Sequence, residues 1–280
     1  SDAILPIVGF NADGWLSQLL AKASEIAQTM TQPKEFLGSL RPYQLEGLAW
    51  LAFLSHAGVG GCLADDMGLG KTIQLLALLA YERESTPDSV IPPTLLVVPM
   101  SILENWQREA TRFTPQLRVV CHHGPARLSG ETFLRAARGA DLVLTTYNLV
   151  YRDESLLSQI DWHRIALDEA QSIKNLATKQ TQAVRRLMQA QLKRDNVHCH
   201  RVALTGTPLE NHLEELWSIF DFLNPGYLGS LADFRSRFSV PIERYRDAKA
   251  QELLGRVVRP FVLRRLKRDP KIIQDLPEKI

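Results

Sequence analysis

The stretch Asp65-Asp66-Met67-Gly68-Leu69-Gly70-Lys71-Thr72 decides how the rest of the chain is read. Glycines at these spacings allow the positive-φ turns that leave successive backbone N–H groups pointing inward, a cradle for a phosphate. A lysine directly after such a turn reaches the outer phosphates of a nucleotide, and the threonine hydroxyl is set to hold Mg²⁺. The flanks fit, with apolar Gly61-Cys62-Leu63-Ala64 before the turn and a helix-like run from Ile73 to Tyr81 after it. A strand–loop–helix order adds the helix N-terminal dipole to the cradle. The strict pattern has glycine five residues before Gly70, where this chain has Asp65. An ordinary glycine-rich turn is the alternative, and a second motif weighs against it.

That motif is Ile165-Ala166-Leu167-Asp168-Glu169-Ala170-Gln171. A short apolar run reads as a buried strand that delivers two carboxylates at its end. In phosphate-loop enzymes the first carboxylate helps hold Mg²⁺, and the second can orient or deprotonate the attacking water. A solvated Asp-Glu pair capping the next helix would be the plainer reading. Two motifs in this order, both at strand ends, favour the catalytic one.

Composition sets bounds on this reading. The chain has 280 residues, 45% of them hydrophobic, enough for one large domain or two small ones. The net charge of +2 advertises no strong field, so any nucleic-acid surface must be local. Cys62, Cys121 and Cys199 lack paired metal spacing, which suits a reducing compartment. His198-Cys199-His200 lacks further ligands nearby and reads better as a loop entering a strand; His122-His123 is a similarly weak metal signal. No apolar run approaches 18 residues, so neither a membrane span nor a signal peptide is expected. The chain begins at Ser1, which suggests a fragment or a processed product.

Apolar runs and punctuation predict the layout. Helices are expected over Asp13–Met30, Arg41–His56, Glu131–Arg138 and Ala177–Ala190. Strands are expected over Thr94–Val98, Leu117–Cys121, Asp141–Thr145, Arg164–Leu167 and Val202–Leu204. Ser101-Ile102-Leu103-Glu104 has the form of a capping box opening a helix to about Phe113. From Glu210 onward the pattern is helical with no further clear strand. This βαβ rhythm predicts an α/β domain, a mainly parallel sheet covered by helices on both faces. Ligands collect at the carboxyl ends of such strands, where the phosphate loop, the acidic pair and Thr205-Gly206-Thr207-Pro208 all fall.

From Leu40 to Ile280 the chain resembles the first, RecA-like motor lobe of superfamily 2 DNA translocases of the Swi/Snf type, the engines of chromatin remodellers and their prokaryotic relatives. Leu40-Arg41-Pro42-Tyr43-Gln44-Leu45-Glu46-Gly47 resembles the adenine-recognising element, with Gln44 reading the base. Asp65–Thr72 is similar to the family's own phosphate loop, which accounts for Asp65; Asp66 stands where glutamate is more usual. Val98-Pro99-Met100-Ser101 with Asn105-Trp106, His123-Gly124 with Arg127, and Thr145-Thr146-Tyr147 resemble DNA-backbone elements. Leu204–Asn211 resembles the element coupling nucleotide state to DNA grip, through Thr205, Gly206 and Thr207. The stretch after Asn211 looks like the family's helical protrusion. Phe261–Lys267 and Leu276-Pro277-Glu278-Lys279 look like the segment leading into a second lobe.

The resemblance implies ATP and Mg²⁺ as cofactors. Lys71, Asp168 and Glu169 would be catalytic; Gln44, Asp66, Met67, Gly68, Leu69, Gly70, Lys71 and Thr72 would bind nucleotide; Thr72 and Asp168 would hold the metal. Ser101, Asn105, Arg127, Thr145 and Thr146 would touch DNA. The implied division is a helical extension over 1–38, the ATPase lobe over 39–268 with its protrusion at about 210–260, and a linker over 269–280. Implied partners are duplex DNA, a second RecA-like lobe supplying phosphoryl-stabilising arginines, and nucleoprotein or polymerase targets, in cytoplasm, nucleoid or nucleus. Without the second lobe, turnover should be very slow. Several elements keep a plainer alternative. Gln44 could be a solvated helix residue, Ser101 a helix cap, and Thr145–Tyr147 a strand end. The six basic residues Arg259, Arg264, Arg265, Lys267, Arg268 and Lys271 suit a solvated face, a sister-lobe contact or a DNA contact. A DEAD-box-like RNA helicase lobe and a non-hydrolysing, nucleotide-gated scaffold are the rival functions.

Overall fold

A computed structural model describes residues 29–194, 199–206, 212–269 and 272. Strand Gly61–Leu63 (β1) follows helix Pro42–His56 (α1) and runs through the glycine-rich loop into helix Lys71–Ser85 (α2). Then come Thr94–Val98 (β2), Leu103–Phe113 (α3), Val119–Cys121 (β3), Gly130–Arg138 (α4), Leu142–Thr146 (β4), Tyr147–Arg152 (α5) and Glu154–Leu157 (α6). Arg164–Asp168 (β5), Lys179–Leu192 (α7), His200–Leu204 (β6) and Leu213–Leu223 (α8) complete the central domain. Leu231–Phe234 (α9), Val240–Tyr245 (α10) and Ala248–Val258 (α11) precede a last short strand, Val262–Leu263 (β7). The expected helix over Asp13–Met30 falls almost wholly outside the described residues.

The seven strands form one sheet in the order β3-β4-β2-β5-β6-β1-β7, every pairing parallel. Parallel strands need helical crossovers, which cover both faces, so β2, β4 and β5 are buried along their whole length. The strand period of two sorts their side chains. Leu95, Val97, Val143, Ile165 and Leu167 pack with α4, α7 and α8, while Leu96, Val98, Leu142, Leu144 and Ala166 pack with α1, α2 and α3. These positions have no exposure to lose, so truncating one such leucine to alanine costs about 2–5 kcal/mol. Helix α8 serves two cores through two apolar faces, leaving Glu214, Glu215 and Asp221 partly exposed. Ile219, Phe222 and Leu223 face the sheet, while Leu216, Trp217 and Phe220 join Phe234, Phe238, Leu254 and Phe261 in a separate cluster with α9–α11.

Three local expectations are corrected, and one helix was not foreseen. Ser101 does not cap a helix: Met100–Ile102 forms a 3₁₀ turn, and α3 begins after it with no side-chain cap. Helix α5 starts directly off β4, where the sequence shows no break. The third strand begins at Val119, two residues later than expected. The helical reading after Glu210 overlooked β7, which pairs Val262 with Cys62 and Leu263 with Leu63. Two apolar residues beside a charged run give too little periodicity to register as a strand.

At the amino end of β5, away from the motifs, Arg164 is fully buried. It grips Glu82 with both terminal nitrogens, and Ser55 Oγ lies 3.0 Å from Nη2. Burial alone would raise the Glu82 carboxyl, but the charge and hydrogen bonds of Arg164 overcome it and hold the group far below the carboxylate range. This cluster belongs to stability, since it ties α1 and α2 to the sheet.

Candidate nucleotide and nucleic-acid site

Strands β5, β6 and β1 are neighbours, and each ends in a chemistry-bearing loop. After β1 the chain turns through Gly68 and Gly70, both at φ 83°, and enters α2 at Lys71. That is the left-handed region that only glycine enters freely. At Gly70 an added Cβ would also lie 2.4 Å from Gln44 Nε2. Lys71 Nζ donates to the Asp65 carbonyl at 2.7 Å, so the ammonium is held over the loop it follows. Leu69 is buried, Met67 is 75% exposed, and Thr72 is half-buried at the second position of α2. Gln44 is buried: its oxygen accepts from Arg41 N at 3.0 Å and its amide donates to the Leu69 carbonyl at 3.2 Å. That side chain therefore fastens α1 to the phosphate loop.

The acidic pair sits at the end of β5. Asp168 is buried, with Oδ2 accepting from the Trp106 indole at 2.7 Å and Oδ1 from the Glu169 N–H at 2.8 Å. Tyr147 donates its hydroxyl to the Asp168 carbonyl at 2.7 Å. Burial pushes the Asp168 carboxyl up from its ordinary value, against those hydrogen bonds and the positive charge of Lys71. Glu169 adopts φ 48°, ψ 55°, uncommon for a side chain of this size and a kind of strain that gathers at functional sites. Its Oε2 accepts from Gln171 Nε2 at 2.6 Å, and Gln171 Oε1 accepts from the Thr205 hydroxyl at 2.7 Å. Thr205 in turn donates its N–H to Leu63 O at 3.1 Å, and Gly206 lies beside Met67 of the phosphate loop. A continuous polar path thus runs from the end of β6 to Glu169. Thr207 lies outside the described residues.

The remaining predicted residues sit at the ends of β2, β3 and β4, the other half of the sheet. Ser101 is exposed; Asn105 is half-buried and bonded to Glu109 and Arg108. Arg127 is paired with Asp153, Nε to Oδ2 at 2.9 Å, and His122 Nε2 lies 2.8 Å from the same oxygen. Thr145 and Thr146 are buried, and Thr145 donates its hydroxyl to the His122 carbonyl at 3.3 Å. Ser101, Asn105 and Arg127 therefore reach the surface, whereas the two threonines lie beneath it.

Arg265 departs from its reading as part of an exposed basic run. It is 8% exposed, and its guanidinium grips the fully buried Asp65 carboxylate. The signal that could have found it was Asp65 itself, a carboxylate where glycine is usual, which needs a cation once buried. Trp106 and Tyr147 were read only as parts of motifs; both hold Asp168. No described disulfide exists, and no group of three or more metal-ligating His, Cys, Asp or Glu side chains occurs among the described residues.

A parallel sheet carrying a phosphate loop and an acidic pair on strands that flank β6 defines the class, a RecA-like domain. The SNF2-related domain matches residues 43–280, and the chain belongs to that family, as an ATPase core domain. It is 48% identical over 265 residues to YwqA of Bacillus subtilis, named for an ATP-dependent helicase/translocase, with 95% of this chain and 27% of that protein covered. The mouse SWI/SNF-related matrix-associated actin-dependent regulator of chromatin subfamily A member 1 is 39% identical over 245 residues, 86% of this chain and 22% of its own length. The Sulfolobus solfataricus SWI2/SNF2 ATPase core in complex with dsDNA superimposes with a TM-score of 0.77 at 40% identity, covering 90% of this chain and 49% of that one. The chain thus spans about a quarter of these curated relatives and about half of the solved core. Among the described residues no helix is long and apolar enough to cross a membrane.

Proposed function

We propose that this chain is the first motor lobe of an ATP-dependent, duplex-DNA-stimulated translocase or remodeller. The observation that carries the reading is the convergence of Lys71, Asp168 and Thr205 at the ends of three adjacent strands, joined by the Thr205–Gln171–Glu169 path. Backbone N–H groups around Gly68 and Gly70, with Lys71, would hold the phosphates, and Asp66, Met67 and Leu69 belong to that loop. Gln44 would read the adenine edge from beside it.

The residues fit Mg²⁺. Each Asp168 oxygen accepts one hydrogen bond and keeps a further lone pair, and a cation would offset its burial. With Thr72 it would supply the few protein ligands Mg²⁺ usually takes beside substrate phosphates. When bound, the ion neutralises charge on the phosphate oxygens. Glu169 would orient the water and accept its proton, and Gln171 would hold that carboxylate in place.

Ser101, Asn105 and Arg127 would follow the phosphate backbone of duplex DNA, with Thr145 and Thr146 supporting that surface. Binding of this kind is salt-sensitive and largely sequence-independent. Thr205, Gly206 and Thr207 would pass DNA engagement to Glu169. The lobe is proposed to span 39–268 with a helical protrusion at about 210–260, between an extension over 1–38 and a linker over 269–280. A second lobe would supply phosphoryl-stabilising arginines, and the first lobe alone would bind nucleotide weakly and turn it over slowly. The protein would work in cytoplasm, nucleoid or nucleus. Calorimetry with Mg-nucleotide tests the site: the wild type should bind and Lys71→Ala should not, while equal affinity would sink the assignment.

A further inference from the structure

The segment that leaves the domain after β7 is built into the phosphate loop. Pairing with β1 continues past the strand, with Ala64 N–H donating to Leu263 O at 2.7 Å and Asp66 N–H to Arg265 O at 3.0 Å. Lys267 N–H donates to Asp66 Oδ2 at 2.9 Å, and its ammonium lies over Gly68, 3.1 Å from where a Cβ would sit. Between these contacts Arg265 turns inward. Its Nε donates to Asp65 Oδ1 at 2.9 Å and Nη2 donates to Oδ2, a bidentate grip on a carboxylate with no solvent exposure. Nη2 also donates to Gln74 Oε1 at 2.7 Å, Nη1 donates to the Tyr43 carbonyl, and the guanidinium lies over the Tyr43 ring. Gln74 returns a bond to Asp65 Oδ2 at 3.2 Å and one to the Gly70 carbonyl at 3.3 Å.

Two further details show that the surroundings are shaped around this arginine. Gly47 of α1 leaves the room it occupies, since a Cβ there would fall 1.7 Å from Gln74 Oε1 and 2.8 Å from Arg265 Nη2. Asp65 is shared, its side chain held by Arg265 and its carbonyl by the Lys71 ammonium. The residue that fixes the start of the loop therefore touches both the exit segment and the phosphate-facing lysine.

We propose that Arg265 is a positioning residue of the nucleotide site: through Asp65 it sets the shape of the phosphate loop, so that nucleotide affinity depends on where the segment leaving the domain lies. The inference rests on the reading of this lobe as a nucleotide site. It gives the departing chain a mechanical link to that site: nucleotide that firms the loop firms the Asp65–Arg265 pair, and a pull on the segment loosens the loop. By linkage the two effects are reciprocal.

The test uses the full-length protein. Mg-ATP affinity, duplex-DNA affinity and unfolding midpoint are measured for wild type, Lys71→Ala, Arg265→Gln, Arg265→Lys, Asp65→Asn and the double variant Asp65→Asn with Arg265→Gln. Arg265→Gln should weaken Mg-ATP binding by about tenfold or more, because a buried carboxylate is left without its cation. Duplex affinity without nucleotide should stay within about twofold. The double variant should recover most of the lost affinity, since two neutral amides can pair, and Arg265→Lys should fall between, keeping charge without the fork. If Arg265→Gln fails to fold, Arg265→Lys and the double variant carry the comparison. Wild-type nucleotide affinity in all folded Arg265 variants, with Lys71→Ala dead, would overturn this inference alone. A loss of ATP and DNA affinity in equal proportion, unrescued in the double variant, would also overturn it, marking Arg265 as merely structural. No Mg-ATP binding by the wild type would overturn both this inference and the functional reading.

Discussion

The indole N–H of Trp106 donates to Asp168 Oδ2 at 2.7 Å, linking the helix that follows β2 to the acidic pair at the end of β5. Asn105, its neighbour in sequence, lies at the candidate DNA surface. One helix thus carries a residue for each half of the site, and Trp106 fixes how the Asp168 carboxylate faces the phosphate loop.

Trp106→Phe keeps an aromatic side chain but removes the donor and part of the buried ring system. A buried carboxylate left one bond short costs about 1–3 kcal/mol, and burial should then drive the Asp168 carboxyl higher still. In the two-lobed protein the Mg²⁺ concentration for half-maximal ATPase should rise. An unchanged Mg²⁺ titration with an unchanged unfolding midpoint would remove this role.

The path from Thr205 through Gln171 to Glu169 makes a different prediction. Thr205→Ala removes the hydroxyl that fixes the Gln171 oxygen. Nucleotide and DNA should both still bind, while DNA stimulation of hydrolysis is blunted. ATPase rates with and without duplex decide it, and stimulation equal to wild type would show that the path carries nothing.

Acid should destabilise the domain through two half-buried groups, His200 and Glu82. His200 is half-buried against Arg164 and His163; burial, then the Arg164 charge, lowers its imidazole to about 3. Because the folded value lies below the unfolded one, its stability is intact above about pH 6.5 and is lost as pH falls toward about 3. At pH 5 the loss from this group is at most about 2 kcal/mol. Glu82, also depressed in the fold, adds a further loss below about pH 4.3. Melting curves from pH 7 to 5 should fall more steeply for wild type than for His200→Gln. Parallel slopes would contradict the assignment.

Much of this fold was legible because its strands are buried on both faces. Leu95–Val98 and Ile165–Leu167 are unbroken apolar runs, and nothing but a covered sheet accommodates several of them at helix-length intervals. The phosphate loop was legible because Gly68 and Gly70 occupy a backbone region closed to most residues. What the sequence hid were long-range polar contacts. The pairing of Arg265 with Asp65 spans 200 positions and places a cation from a charged run in the core. The capping-box pattern at Ser101 failed because Pro99 leads into a 3₁₀ turn, which moves the helix start beyond the serine. The hydroxyl of Thr145 turned inward for the same reason that its strand formed, since β4 is covered on both faces.

Arg127 illustrates a residue with two claims on it. Its guanidinium holds Asp153 beside His122, and its side chain is 28% exposed. Arg127→Ala in the two-lobed protein should weaken duplex binding and shallow its salt slope by about one unit, with basal ATPase nearly unchanged. A fall in basal turnover at constant salt slope would mean that the arginine serves the fold of its loop alone.

The most direct test of the account is ATP turnover by the two-lobed protein with no nucleic acid, with duplex DNA and with RNA, in wild type and Glu169→Gln. The account predicts stimulation by duplex DNA over RNA. It also predicts a Glu169→Gln protein that binds ATP nearly as well as wild type yet scarcely hydrolyses it with any nucleic acid. Stimulation by RNA in place of duplex DNA, or Glu169→Gln turning over at the wild-type rate, would contradict it.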